Sequence, residues 1–66
     1  MAVFHGSGTG DWDVDYTIDR EEAFRGANVR VENSRDIELQ IRNELARRNG
    51  VGAHRVNIYL AVKIGR

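Results

Sequence analysis

Residues 55–64, RVNIYLAVKI, constrain what this chain can fold into more than any other segment. Strand alternation puts Val56, Ile58, Leu60, Val62 and Ile64 on one side as an unbroken apolar face. Asn57, Tyr59, Ala61 and Lys63 take the other side, which is apolar in its middle. A strand wetted on one side would not need that second apolar stretch. Cover is therefore required above and below, and the chain has 66 residues to supply it. A domain of that size buries only about 60% of the surface its unfolded chain exposes, and its core seldom contributes more than roughly 3–5 kcal/mol. Small domains usually add a disulfide, a metal or a partner subunit. Cysteine is absent, and the two histidines, His5 and His54, stand far apart. Disulfides and the common zinc patterns are thereby excluded, which leaves self-association. Closed two-fold symmetry is its commonest form, so a homodimer is expected.

The rest of the chain supplies two further strands and one secure helix. In residues 12–18, Trp12, Val14, Tyr16 and Ile18 alternate with Asp13, Asp15 and Thr17, the pattern of a half-buried strand. Residues 19–26 read as a short helical turn capped by Asp19 and stopped by Gly26, with a hairpin connection as the competing reading. Val29 and Val31 mark a second strand over 27–32. Residues 34–49 form the helix. Asn33 or Ser34 caps it, and Ile37, Ile41 and Leu45 fall within about 80° of one another on one stripe. Glu38–Arg42 and Glu44–Arg48 are i,i+4 pairs in the favourable orientation, and Gly50 supplies the left-handed stop. The order predicts an α+β fold: a small three-stranded sheet with one main helix on one face, as β-(short α)-β-α-β or ββαβ. A right-handed crossover would set the second and third strands parallel; antiparallel pairing is the alternative. Residues 1–10, with Gly6-Ser7-Gly8-Thr9-Gly10, read as a flexible N-terminal arm, and residues 11–66 as the single domain.

Formal charge is zero but unevenly spread. Residues 1–33 hold seven acids and three bases, or −4; residues 34–66 hold three and seven, or +4. A uniformly basic nucleic-acid binder does not look like this. The simplest use of the asymmetry is neutralisation between the two halves, with Asp11, Asp13 and Asp15 paired across strands to Arg30, Arg55 and Lys63.

The segment 11–22 bears a partial resemblance to the EF-hand calcium loop. Asp11, Asp13 and Asp15 fill positions one, three and five; Ile18, Asp19 and Glu22 fill eight, nine and twelve. The loop needs glycine at position six for its sharp turn, where this chain has Tyr16. The alternating apolar residues favour a strand instead, which would splay the carboxylates along one face. The glycine run fails as a phosphate loop, because no strand precedes it and no Lys-Ser/Thr follows.

Arg47, Arg48, His54 and Arg55 cluster near the helix C-terminus, where cations complement the helix dipole and could also contact an anionic partner. Nothing marks a nucleophile or an apolar pocket that would raise a carboxyl pKa, and no cofactor is implied. No apolar run is long enough to span a bilayer, no secretory signal is evident, and a cytoplasmic location fits the absent cysteines.

These features point to a small, non-enzymatic, homo-oligomeric binding or interaction module. Its association surface would comprise Tyr59 and Ala61 on the open sheet face, with Leu39 and Ala46 on the helix. The alternative is a nucleic-acid-associated or regulatory adaptor acting through Arg47, Arg48, His54 and Arg55. A protein partner other than a second copy is compatible with the first reading.

Overall fold

In chain order the elements are β1 (Val3–His5), β2 (Gly10–Ile18), β3 (Arg25–Val31), α1 (Ile37–Asn49), a 3-10 turn (Ala53–Arg55) and β4 (Val56–Lys63). The computed structural model describes residues 2–65. The class is α+β as expected, but the mixed sheet has four strands, in the order β1-β4-β2-β3. β2 pairs antiparallel with β3 on one side and β4 on the other, while β1 lies parallel to β4 at the edge. The strands flanking the helix in sequence, β3 and β4, therefore point the same way but do not touch: β2 lies between them. The adjacent parallel pair expected from a simple crossover is replaced by a split one.

The additional strand comes from the stretch read as an arm. Val3–His5 pairs with Leu60, Ala61 and Val62. Phe4 packs edge-on against Trp12 with ring centroids 6.1 Å apart. The glycine-rich loop is anchored as well, since the Trp12 indole Nε1–H donates to the Gly8 carbonyl at 3.2 Å. Gly6 sits at φ 116°, and a Cβ there would meet the Lys63 Cβ at 2.6 Å. Only glycine tolerates that backbone at that approach.

The short helix expected over residues 19–26 is instead a tight β2–β3 connection. Gly26 lies inside β3 opposite Asp15, so it cannot stop a helix. Asp19 caps nothing: it adopts φ 57° and turns towards Arg55. The connection closes locally, with the Ile18 N–H donating to the Glu21 carboxylate at 2.8 Å.

The helix begins at Ile37, three residues later than the capping reading, with Asp36 left-handed before it. No side chain caps it in the usual way. The Gln40 Nε2 reaches back to the carbonyls of Asn33 (2.7 Å) and Arg35 (2.6 Å) and closes the entry turn. Gly50, at φ 65°, ends the helix as its left-handed residue, and the Val51 N–H returns to the Ala46 carbonyl at 3.0 Å. Both predicted i,i+4 pairs form, Glu38–Arg42 at 2.9 Å and Glu44–Arg48 at 2.8 Å.

The core lies between α1 and one face of the sheet: Trp12, Val14, Tyr16 and Ile18 of β2, Val29 and Val31 of β3, Ile41, Leu45 and Ala46 of α1, and Val56, Ile58 and Ala61 of β4. Ile37 is half-buried against it. Two assignments change sides. Ala46, read as part of an exposed helix patch, is buried, because the chain after Gly50 doubles back and packs Val51 and Ala53 on the core. In β4 the change is larger. Tyr16 pairs with Ile58 and Asp15 with Leu60, which leaves Tyr59 as the extra residue of a bulge. Beyond it the alternation is inverted, so Ala61 is fully buried under the helix while Leu60, Val62 and Ile64 face away.

Two stability outcomes follow. Ala61→Asp should abolish folding, since an unpaired buried carboxylate costs several kcal/mol against a core worth roughly 3–5 kcal/mol. Leu60→Asp, on the outer face, should retain a cooperative circular-dichroism melt. Gly6→Ala should lower stability by about 1–3 kcal/mol through strain and the clash with Lys63, read from urea midpoints.

Candidate functional site

The face of the sheet turned away from α1 carries the largest uncovered apolar area. Along β4 run Tyr59 (42% exposed), half-buried Leu60, Val62 (36%) and, just past the strand, Ile64 (44%). Val3 of β1, 46% exposed, sits level with Leu60, and His5 sits level with Val62. Phe24, 63% exposed, meets Tyr59 edge-on with centroids 4.9 Å apart. Their rings come together across β2, where Thr17 is buried and its hydroxyl accepts from Asn57 Nδ2 at 3.3 Å. Single exposed apolar side chains are ordinary on a protein surface; a band of them along one strand is what makes this face the candidate site.

An acidic row borders this band. Asp15 lies opposite Leu60 and Asp13 opposite Val62, while the Asp11 carbonyl accepts from the Ile64 N–H at 2.8 Å. Alternation along β2 turns all three side chains to the outer face. Compensation is partial: Arg30 lies 3.5 Å from Asp11, Asn28 donates to Asp13 at 3.3 Å, and Asp15 stands opposite Gly26, which has no side chain to offer. Of the three cations expected to pair with the row, only Arg30 does. The bulge turns Lys63 to the helix side, level with Trp12, and Arg55 is drawn to Asp19. The calcium-loop candidates do not converge: Asp11, Asp13 and Asp15 are spaced along an extended strand, Asp19 faces Arg55, and Glu22 is exposed in the turn.

At the opposite end of the sheet an open cleft of about 630 Å³ is lined by Asp19, Arg20, Glu21, Arg25, Asn49 and Arg55. Its charges are largely spent on one another. Arg25 grips Glu21 through two hydrogen bonds (2.7 and 2.9 Å) and reaches Asn49 Oδ1 at 3.0 Å. Arg55 holds Asp19 in a two-pronged pair, while Asn57 Nδ2 donates to the Asp19 carbonyl at 2.6 Å. The basic cluster read from the sequence is likewise engaged. Arg47 and Arg48 both bind Glu44, at 2.6 and 2.8 Å, and Arg55 is taken, leaving His54 exposed beside them. Leu39, half exposed on the helix, stands apart from the sheet-face band.

These pairs set the ionisation of the site. Hydrogen bonds from Arg25 and from the Ile18 N–H hold the Glu21 carboxyl down at about 2. Arg47 and then Arg48 do the same for Glu44, also to about 2. Arg55 lowers Asp19. All three shifts favour permanently charged carboxylates, the reverse of what a proton-donating acid needs.

Of the residues singled out from the sequence, Tyr59 lies on the candidate surface, Ala61 and Ala46 lie in the core, and Leu39 is isolated. Leu60, Val62, Ile64, Val3 and Phe24 complete the surface and were not assigned to it. No family model, curated protein or solved structure matches this chain.

Because Glu21 and Glu44 are depressed in the fold from an ordinary value of 4.5, the stability they lend is complete above that pH. It is lost as pH falls from there towards about 2. NMR titration should place both carboxyl midpoints well below the ordinary 4.5, and Glu21→Gln with Glu44→Gln should flatten the melting temperature across that window.

Proposed function

We propose that this chain is a small, non-enzymatic interaction module of the cytoplasm that pairs with a second copy of itself through the outer face of its sheet. The carrying observation is the apolar band of Tyr59, Leu60, Val62, Ile64, Val3 and Phe24 on a face that no element covers among the described residues. The size of the face supports this reading. It forms a long side of a 32 × 18 × 18 Å body, roughly 600 Å² in projection, of the order of the ~800 Å² per partner in a standard interface. The short chain supports it too, since a second sheet packed about 10 Å away would give this small domain the shared core it lacks. The engagement of Arg47, Arg48 and Arg55 with carboxylates weighs against an anionic partner at the helix end, because binding there would first break those pairs.

Analytical ultracentrifugation tests this directly. At tens of micromolar the wild type should sediment at about twice its 7.5 kDa mass. Val62→Asp should remain folded and weaken pairing at least about 30-fold, as loss of a central contact does. A 7.5 kDa species at hundreds of micromolar would overturn the proposal.

A further inference from the structure

Resting on that reading, the charge pattern also determines how the two copies are turned relative to each other: we infer that the two-fold axis of the dimer runs along β4. Two identical sheets stacked face to face are related by an axis lying in the plane between them. For sheets packed with their strands aligned, it runs either along the strands or across them. An axis across the strands keeps the strand order in register and lays β2 over the partner's β2. The row of Asp11, Asp13 and Asp15 would then confront the partner's row, running the opposite way, across faces about 10 Å apart, with side chains reaching into the gap. Like charges so placed repel, and Arg30, which reaches the row from β3, already spans Asp11 and Glu32 at 3.5 and 3.7 Å.

An axis along β4 reverses the strand order instead. β4 lies over β4, the apolar band meets itself, and β2 of each copy lies over the partner's β1. The outward residues of β1 are Val3 and His5, with no carboxylate between them. The two acidic rows are carried to opposite rims, and β3 with Arg30 and Asn28 is left to water.

The two orientations make different neighbours. With the axis along β4, Leu60, Val62 and Ile64 each meet their own copy. With the axis across it, at most one of them does, and Asp13 meets Asp13. The chain has no cysteine, so single-cysteine variants report cleanly. Leu60→Cys, Val62→Cys, Ile64→Cys and Asp13→Cys would be treated with a short bismaleimide at a concentration where sedimentation shows the variant paired, with circular dichroism confirming the fold. The expected result is a shift to doubled mass on a denaturing gel for Leu60→Cys and Ile64→Cys alike, and its loss for Asp13→Cys. Cross-linking of Asp13→Cys with only one β4 position, or of none of the four in a sample that sediments as a dimer, would overturn the axis and leave the pairing itself standing. A wild type that stays monomeric would overturn both.

Discussion

The pairing of β4 against β2 is the contact on which the molecule's two surfaces depend. From Val56 to Ile58 the strand presents alternate residues to the helix in step with Ile18 and Tyr16; after Tyr59 it presents the opposite set in step with Val14 and Trp12. One unpaired residue therefore determines that Ala61, rather than Leu60, sits under α1, and that three large aliphatic side chains are turned outwards. A small side chain at Ala61 suits a position under the helix, and Ala61, Leu45 and Ile41 share one core with no residual exposure. Register in a two-sided sheet is normally held by the cost of exposing apolar residues. Both sides of β4 are apolar, so that cost differs little between registers, and the fit of Ala61 beneath the helix is left to select one.

A second constraint holds the end of the sheet where Asp19 reverses the chain. Its left-handed backbone is held from three directions: the N–H donates to the Arg55 carbonyl at 2.8 Å, the side chain receives the Arg55 guanidinium, and its own carbonyl receives Asn57. The exposed ion pairs around it are each weak in water, but geometry of this kind is shared between several hydrogen bonds and orders a loop that has little apolar burial of its own. Asn49 extends the same network into the helix end, donating to the Tyr16 hydroxyl at 3.1 Å and accepting from Arg25. Arg55 and Arg25 thus join helix end, turn and hairpin, while Arg47 and Arg48 bind within the helix.

Much of this was legible in the residues. Asp-Trp-Asp-Val-Asp-Tyr alternates so cleanly that β2 and its buried side follow directly, and the Ile37, Ile41, Leu45 stripe with Gly50 locates the helix and its end. The inversion in β4 was not legible, because a bulge is a property of two strands in register and leaves no mark in the period of either one when both faces are apolar. β1 escaped because three residues are too short for any period to show. The glycine-rich loop read as flexible because its restraints, the Trp12 indole on Gly8 and the close approach of Gly6 to Lys63, come from residues distant in sequence or perpendicular to the backbone. The electrostatic asymmetry between the two halves was real, yet its resolution differed: Arg25, Arg42, Arg47 and Arg48 found acids within their own turn or helix, so among the described residues the aspartates of β2 were left only partly compensated.

The brevity of β1 bears on how copies of this protein can accumulate. A sheet edge grows by adding backbone to backbone, and each newly added strand offers a fresh edge, so that mode of assembly has no natural limit. Here the edge beside β4 is occupied by three residues and then broken by the left-handed Gly6, which gives an incoming strand too few consecutive amide groups to grip. The opposite edge, β3, carries Arg25 and Arg30, whose charges oppose stacking of like strands. With both lateral routes blunted, the apolar outer face is the surface left for contact, and the pairing of two such faces proposed above would be self-terminating, since nothing equivalent would remain to recruit a third.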